Sequence, residues 1–574
     1  MNGLKPARLP AAASKVGLAL AAVALALAGC SSNEREIAST PNPYAIEGQG
    51  VRVGTLHTFG DSYSSRGRWG LPWSEYLQAS GRVAAVQNFA RGGATAANSP
   101  RSFNNQVDQF LAGGAALGPR DLTVAYFGYN DIGRTGSGDA LNSAAAGYQQ
   151  GVNRLINAGA INQERRLLLT QIHDWSRAPG VSPAVAGQVQ TWNNFVARVA
   201  NRDTNLVAVD LFTAINRVTA DPGRFGLVNT TDPGGRRANV DFLYFDGIHF
   251  GARGATIIAR TFDHYLTRGW DWANSLNAGA EASERLGRDI DRGLVFMHLQ
   301  NRRQTPRERQ GLSVMPLADS ADNPGLLFHY APDGERGLRM GVAMVSDQLE
   351  RQHRAAEQVA TRRDLNSDGI ASYLALGTER LQATTQLSLM SHSHLGRGQD
   401  DLLERRVARE TDSRTYSVRQ RLQAFLPVGG LTLAPWGAIG HQQQSMATAR
   451  HETLYTSRST VRTEGYSLWR AGVGVEAYSP ALGLGRYGTL NLTGSLGVRE
   501  ILGNPSVDLT FEEAALPGVR QVETIPLDGG QERRAGLGAR LDLTERTALG
   551  LGYARLERGR AASERFDLHF SMGF

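Results

Sequence analysis

The first half of the chain alternates short apolar runs with amphipathic stretches. Strands alternating with helices indicate a parallel sheet covered on both faces. The apolar runs that predict strands lie at 53–59, 122–127, 167–172 and 206–210, and the stretches with helical periodicity include 72–80, 143–158 and 183–201. The pattern therefore predicts an α/β domain over 51–268. In such a sheet, ligands bind beyond the carboxyl ends of the strands.

A helical pattern continues after Gly251, with Gly269 marking a place where the helix could break. From Trp270 to Val295 the apolar residues fall on one side of a helix, with charged residues between them. Such a helix either packs on the α/β domain or passes through polar surroundings. We assign 269–296 as a linker helix.

From about Leu326 the hydrophobic period changes to two. Segments of about ten residues alternate apolar with polar or small residues, as is typical of a transmembrane β-barrel. These segments lie at 338–344, 381–389, 415–426, 431–439, 466–478, 487–498, 535–543, 548–556 and 566–574. Closure of the sheet would satisfy every backbone group in a membrane. We therefore predict an antiparallel barrel of about 12 strands over 297–574.

A soluble β-sandwich is the alternative for this half. Long polar connections at 301–323, 399–413 and 442–464 fit external loops better than sandwich turns. The last segment alternates and ends in the aromatic residue Phe574, which resembles the signal by which outer-membrane barrels are recognised for assembly.

The N-terminus has the pattern of a secretory signal. Lys5, Arg8 and Lys15 precede an apolar run at 16–27, which is too short for a stable membrane span. The run ends in Leu-Ala-Gly before Cys30, which resembles a bacterial lipoprotein signal and predicts lipidation of Cys30. Ordinary cleavage after small residues is the alternative. We assign 1–30 as the signal peptide and 31–50 as a tether.

Composition narrows the class of protein. Cys30 is the only cysteine, so an internal disulfide and a thiolate metal site are excluded. The net charge of +7 comes from arginine, since Lys5 and Lys15 are the only lysines. There is no basic cluster or recognisable module for reading nucleic acid. The arginines either are solvated or meet anionic lipid head groups.

Four separated segments supply the parts of an acyl-transfer site, namely a nucleophile, a base, a group that orients the base and donors for an oxyanion. They lie at 59–64, 88–95, 128–131 and 246–249. Ser62 follows a strand and precedes an expected helix, which would place its hydroxyl near a positive helix N-terminus. His249 is the candidate base, and Asp246 can orient it from three residues earlier.

These segments resemble the four blocks of the GDSL family of SGNH hydrolases and occur in the family's order. The resemblance implies a flavodoxin-like parallel sheet and a catalytic triad of Ser62, Asp246 and His249. It implies an oxyanion hole formed by Ser62, Gly93 and Asn130, with Gly92 the neighbouring alternative to Gly93. Here tyrosine replaces leucine after the nucleophile, which should affect packing more than chemistry. Asp131 is interpreted as a turn or cap residue, and His57 and His173 as structural.

Signal, hydrolase, helix and barrel together resemble a monomeric autotransporter of the GDSL esterase type. That resemblance implies a helix inside the barrel lumen, assembly by the barrel assembly machinery, and a bacterial outer-membrane location with the hydrolase at the cell surface. The implied activity is hydrolysis of short- to medium-chain acyl esters through an acyl-serine, without a cofactor or metal.

Several alternatives remain open for function. Lipase or lysophospholipase activity and carbohydrate O-deacetylation need the same triad. A non-enzymatic surface adhesin could retain the hydrolase as a scaffold, and the barrel could act as a pore if the helix did not fill it. The expected partners are an acyl ester and outer-membrane lipids, with no nucleic acid.

Overall fold

The computed structural model describes most of the chain from residue 45 onward. The described residues are 45–46, 50–51, 53–114, 117–133, 141–162, 165–301, 310–317, 325–332, 337–355, 359–400, 405–451, 457–503, 505–527, 531–544, 547–558 and 561–573. The signal peptide, Cys30 and Phe574 lie outside them. At the end of the predicted tether, Ala45–Ile46 pairs with Gly50–Val51 as a two-stranded ribbon.

A five-stranded parallel sheet forms the centre of the first domain. Its strands, in spatial order, are Val83–Asn88, Val53–Gly60, Leu122–Tyr126, Leu167–Thr170 and Leu206–Val209. The last three are buried at every residue, as expected for strands covered by helices on both faces. The strand at 83–88 is not among the predicted strands. It lies at the sheet edge and exposes half of its residues, and its apolar run is limited to its first four residues, 83–86.

Helices cover both faces of this sheet. Those before the last helix of the domain are Trp73–Ala79, Phe103–Ala112, Tyr129–Ile132, Leu141–Asn157, Ala186–Ala200 and Leu211–Ala220. Side-chain N-caps mark the beginning of two of these helices. The Ser102 side chain accepts from the Asn105 N–H, and that of Asp210 accepts from the Thr213 N–H. A short pair of parallel strands, Asn229–Pro233 and Phe242–Tyr244, leads toward the last predicted motif.

One helix of 50 residues, Ala252–Asn301, runs from this domain into the barrel without a break at Gly269. A Cβ at Gly269 would lie 2.3 Å from a carboxylate oxygen of Glu523 and 2.9 Å from the Ile525 side chain. This glycine therefore allows close approach of a barrel segment. Among the described residues, no helix is both long and apolar enough to cross a membrane.

The second half is a closed antiparallel barrel, and within the described residues twelve strands complete the ring. They are Gly311–Pro316, Gly325–Ala331, Arg339–Ala355, Val359–Gly377, Leu381–Asp400, Arg405–Ala424, Leu431–Met446, Tyr466–Tyr478, Thr489–Leu502, Glu532–Asp542, Thr547–Arg558 and Ala561–Gly573. Ser313 pairs with Gly573, so the first strand meets the last.

The three connections expected as long polar loops contain strands, so that expectation was wrong. Gly311–Pro316 lies within 301–323, the strand Arg405–Ala424 begins within 399–413, and Leu431–Met446 ends within 442–464. A strand that continues beyond an apolar band needs no apolar face. Its hydrogen bonds form as well there, so hydropathy alone does not mark its end.

The outer and inner faces of the barrel have opposite character. Along Gly325–Ala331, Leu326, Phe328 and Tyr330 are exposed while the residues between them are buried. The same outward apolar exposure recurs around the ring, at Met340, Val342, Met344, Leu387, Leu389, Val473, Leu496 and Leu537. An apolar surface this extensive is unusual on a soluble monomer and is expected for a membrane-facing band.

The long helix lies inside this ring. Arg285 pairs with Asp347 at 2.7 Å and Arg288 pairs with Glu532 at 3.2 Å, and these partners lie on strands far apart in the ring. Asp291 of the helix pairs with two further barrel arginines, Arg419 and Arg421. Charged residues of the helix are thus matched by charged residues of the inner wall.

A barrel hairpin also joins the α/β domain. Its strands are Ser506–Glu513 and Arg520–Pro526, and we call 506–526 the docking hairpin. Leu516 and Val519 of this hairpin pack in the hydrophobic core of the α/β domain. The Gln521 side chain donates to the Ala208 carbonyl, on the edge strand, at 3.1 Å. The core of the first domain therefore includes residues from the segment predicted as barrel.

Candidate active site

Ser62 lies in a tight turn at the end of the strand Val53–Gly60. The Ser64 N–H donates to the Asp61 carbonyl at 3.1 Å, and the Tyr63 N–H donates to Asp61 Oδ1 at 3.0 Å. The Gln106 side chain bonds both the N–H and the carbonyl of Gly60 at 2.9 Å. We call 61–64 the nucleophile turn. The Gln106 side chain fixes the strand end before this turn, and the Asp61 side chain fixes the backbone of the turn itself.

The helix that follows Ser62 is Trp73–Ala79, which matches the helix predicted at 72–80. Its first residue contacts the nucleophile turn, because Trp73 Nε1 donates to Ser64 Oγ at 3.1 Å. Proximity of the Ser62 hydroxyl to this helix N-terminus stays a prediction. Ser62 itself lies at a strand end with 8% of its surface exposed.

Asp246 and His249 form a hydrogen-bonded pair on one turn. His249 Nδ1 lies 3.0 Å from Asp246 Oδ2, and Asp246 Oδ1 accepts from the backbone N–H groups of Ile248 and His249 at 2.9 and 2.8 Å. Partial burial opposes ionisation of Asp246, but these hydrogen bonds outweigh it and hold its pKa well below its usual range. Because an ionised carboxylate only accepts, Nδ1 carries the proton and Nε2 is the nitrogen that can act as a base.

Tyr63, the departure from the family motif, joins three of the four blocks. Its hydroxyl donates to the Ile248 carbonyl on the histidine turn. Its ring stacks on Tyr129, with ring centroids 4.1 Å apart, and lies 6.0 Å from the His249 ring. The tyrosine beside the nucleophile therefore also anchors the backbone that carries the base.

Asn130 lies in the short helix Tyr129–Ile132, and Gly93 lies in the loop after the strand Val83–Asn88. Asn130 Nδ2 donates to the Ala94 carbonyl at 2.9 Å, and Asn130 is exposed. Gly93 has a φ of +73°, which only glycine adopts readily, and nothing lies closer than 3.9 Å to the position of a Cβ there. Gly92 has no such backbone constraint. The third block thus touches the second at the residue after Gly93.

Asp131 connects the third block to the two residues that follow the second block. It is buried and accepts from the backbone N–H groups of Ala96 and Ala97 at 2.9 and 3.1 Å. Burial raises the pKa of Asp131, although these two hydrogen bonds oppose the shift. Its contacts are structural.

His57 and His173, the two histidines interpreted as structural, are buried. His173 Nδ1 lies 2.6 Å from the Tyr129 hydroxyl, and burial lowers the pKa of His173 to about 3. His57 has an acidic partner that the sequence pattern did not indicate, since Nε2 lies 3.4 Å from Asp121 Oδ2. Asp121 precedes its strand, so this pair lies away from the strand ends that carry Ser62 and Asn130.

Two site residues, Arg68 and Trp69, were missed in the sequence. The indole of Trp69 stacks on the His249 ring, with centroids 3.7 Å apart and planes within 6°. Arg68 Nη2 donates to Asp246 Oδ2 at 3.1 Å. Both lie a few residues after the nucleophile in a short polar loop without periodicity, and nothing in their spacing indicates the contact.

Asp61 is a buried acid directly beside Ser62. No described residue hydrogen-bonds to its Oδ2, and Asp61 is fully buried. Burial raises the pKa of Asp61 to about 8, against the stabilising N–H of Tyr63. Asp61 is therefore mostly protonated at neutral pH. Elsewhere in the described residues, no group of three or more His, Cys, Asp or Glu side chains could hold a metal ion.

Residues 58–257 match the model of the GDSL-like Lipase/Acylhydrolase family, and this part of the chain is a GDSL-type hydrolase domain. No curated protein matches the chain in sequence.

Solved structures resemble each half separately. An acetylxylan esterase from Geobacillus stearothermophilus is 17% identical, with 38% of this chain and 95% of the esterase covered and a TM-score of 0.26. The translocator domain of the autotransporter NalP from Neisseria meningitidis is 9% identical, with coverages of 52% and 98% and a TM-score of 0.38. The beta domain of the Bordetella autotransporter BrkA is 11% identical, with coverages of 46% and 96% and a TM-score of 0.32.

Proposed function

We propose that the GDSL-type hydrolase domain is a serine carboxylesterase for short- to medium-chain acyl esters, displayed at the cell surface by its own barrel. The observation that carries the esterase proposal is the Asp246–His249 pair. Its turn is bonded by the side chain of Tyr63, the residue next to Ser62. Nucleophile and base thus belong to one connected unit.

The proposed reaction begins when His249 Nε2 removes the proton from Ser62 Oγ as that oxygen attacks the ester carbonyl. Asp246 stabilises the imidazolium that forms. The C–O bond to the alcohol then breaks, and His249 gives its proton to the departing oxygen. Water attacks the acyl-serine with His249 again as the base, which releases the acid and restores Ser62.

The oxyanion would be bound by the N–H groups of Ser62 and Gly93 and by the Asn130 amide. The amide of Asn130 has two N–H donors, and one is used on the Ala94 carbonyl. That bond orients the amide group and leaves the second donor for substrate. A neutral amide donates without titrating, so this stabilisation does not change with pH.

Display at the outer membrane is proposed from the barrel itself. The ring is closed, its outward residues are apolar, and the helix in its lumen leads directly from the hydrolase. Such a barrel suits a lipid bilayer, and assembly by the barrel assembly machinery belongs to the same proposal. The pore alternative is disfavoured because helix and wall form ion pairs across the lumen.

The esterase proposal is tested on the purified full-length protein in detergent. We expect hydrolysis of p-nitrophenyl esters from acetate to decanoate, with loss on the order of 10⁴-fold or more in Ser62→Ala. Ser65→Ala, in the adjoining loop, is the matched control and should retain activity. A fluorophosphonate should label Ser62 alone by mass spectrometry. Activity restricted to lysophospholipid or acetylated xylo-oligosaccharide would change the substrate class, and full activity in Ser62→Ala would overturn the mechanism.

A further inference from the structure

The loop between the nucleophile turn and the helix Trp73–Ala79 covers the base. We call residues 65–70 the tryptophan loop. It presents the Trp69 indole face to face with the His249 imidazole, 3.7 Å between centroids and 6° between planes. Trp69 is half-buried, so the stack lies at the surface of the site. A parallel stack at this distance holds the imidazole plane on one side.

The loop backbone keeps the indole in this place. Gly67 and Gly70 bond each other, with the Gly70 N–H donating at 3.1 Å and the Gly67 N–H at 3.4 Å. Gly70 has a φ of +121°, and a Cβ at Gly67 would lie 2.4 Å from the Trp69 ring. Arg66 donates to both carboxylate oxygens of Glu75, at 2.7 and 2.5 Å, and ties the loop to the next helix. The indole therefore occupies a position that the two glycines make available.

The neighbouring residue touches the other member of the pair. Arg68 Nη2 lies 3.1 Å from Asp246 Oδ2, the same oxygen that lies 3.0 Å from His249 Nδ1. The guanidinium thus shares the carboxylate with the imidazole. Arg68 is 74% exposed on its side chain, so water and salt screen its effect.

We propose that Trp69 and Arg68 are positioning residues that set the proton affinity of His249 in opposite directions, an inference that rests on the proposed esterase function. The electron-rich face of an indole attracts a cation, so Trp69 stabilises the imidazolium that forms during acyl transfer. Arg68 places a positive charge beside the pair. It also donates to Asp246 Oδ2, the carboxylate oxygen that otherwise would bond only the His249 side chain. Trp69 therefore favours the protonated base and Arg68 disfavours it.

The charged and titratable groups packed around His249 are Asp246 on its own turn, Arg68 on the tryptophan loop and Tyr63 on the nucleophile turn. Burial raises the pKa of Tyr63 well above its usual range, so it stays neutral over the working range. Asp246 stays ionised. Asp61, beside Ser62, has a pKa that burial raises to about 8, and it is present in every variant. A difference in the acid limb of the pH–rate profile between variants therefore reports on His249 and its two loop neighbours.

The test compares pH profiles of kcat/KM for the full-length protein and four variants. Trp69→Ala should move the acid limb down by about half a pH unit and lower kcat about 2- to 5-fold. Trp69→Phe should restore part of both. Arg68→Ala should move the limb up by a few tenths of a unit, and less at high salt. Ser65→Ala is the matched control from the same loop and should leave the limb in place.

Opposite shifts at adjacent residues support the inference, since general loosening of the loop would move both variants in one direction. Equal profiles for Trp69→Ala and the parent protein, with only a lower melting temperature, would overturn it. Ser62→Ala is assayed beside them. If Ser62→Ala keeps its activity, the proposed function fails. If Ser62→Ala is inactive while the limb never moves, the function stands and only the role of the loop is lost.

Discussion

The hydrolase domain and the barrel bury opposite kinds of residue. The interior of the hydrolase is apolar, and its reactive groups lie where strands end. The barrel exposes leucine, valine and phenylalanine outward and buries charged groups, such as Asp291 with Arg419 and Arg421, against its internal helix. Each half places apolar atoms away from water, but only the barrel faces a second apolar solvent. Mutations of buried residues should therefore have different effects on stability in the two halves.

Where the halves meet, one buried cation serves two acids. Arg268, 1% exposed on its side chain, donates to Glu523 at 2.6 Å, to Glu513 at 2.7 Å and to Gln521 at 2.5 Å. The helix carries Arg268, and the docking hairpin carries its partners. The contact therefore couples hydrolase and barrel.

The largest effect is expected from Arg268→Ala, which leaves the buried carboxylate of Glu513 without a cation and leaves Glu523 with Arg166 alone. Removing one partner from a buried pair costs about 3–5 kcal/mol in the free energy of unfolding. We expect the hydrolase to unfold separately from the barrel, as a second transition in calorimetry. The control is Arg268→Met combined with Glu513→Gln, which removes one cation and one acid together, keeps Glu523 paired with Arg166 and should retain one transition. A single unchanged transition in Arg268→Ala would show that the halves are not coupled here.

A smaller effect, confined to catalysis, is expected from Asn130→Ala. Loss of one oxyanion donor typically costs about 10²- to 10³-fold in kcat. Because Asn130 is exposed and loses one hydrogen bond, to the Ala94 carbonyl, the melting temperature should fall only slightly. Its neighbour gives the contrast: Asp131→Ala removes the acceptor for two buried N–H groups and should lower the melting temperature. An Asn130→Ala protein with full kcat would remove this residue from the oxyanion hole.

The smallest effect is expected from Asp61→Asn, which is compared with a variant of a buried acid in the barrel. Asp61 favours its protonated form in the folded state, so the stability that it contributes is lost as pH rises from about 4 to about 8. Asp61→Asn keeps an acceptor for the Tyr63 N–H and should flatten this decline. Asp291→Asn should instead destabilise the barrel at every pH in that range, because Arg419 and Arg421 each lose one carboxylate partner and keep only Glu284 and Glu476. Melting curves between pH 5 and pH 8 check both, and parallel curves for Asp61→Asn and the parent protein would contradict a protonated Asp61.

The sequence predicted those elements that have a periodic signature. Buried strands such as Leu167–Thr170 are apolar at every position, and the barrel strands alternate, so both are visible in hydropathy. The edge strand Val83–Asn88 and the polar ends of the long barrel strands have no such signature. Hydrogen bonds to neighbouring strands, which the local sequence does not reveal, decide their extent.

The candidate site likewise contains residues that the sequence predicted and residues that it did not. Ser62, Asn130 and His249 stand in short motifs whose order along the chain is informative. Trp69 reaches His249 only because two glycines close its loop, and Gln521 reaches the hydrolase only because the barrel places it there. Contacts of this kind depend on tertiary approach, and composition or spacing does not indicate them.

The most direct test of a surface-displayed serine esterase is hydrolysis of p-nitrophenyl butyrate by intact bacteria that express the full-length chain, compared with the same cells after lysis. Ser62→Ala cells with equal amounts of the protein in the outer membrane are the control. We predict equal rates before and after lysis for the parent protein and background rates for Ser62→Ala in both. Activity that appears only after lysis would contradict surface display, and equal activity in Ser62→Ala cells would contradict the serine mechanism.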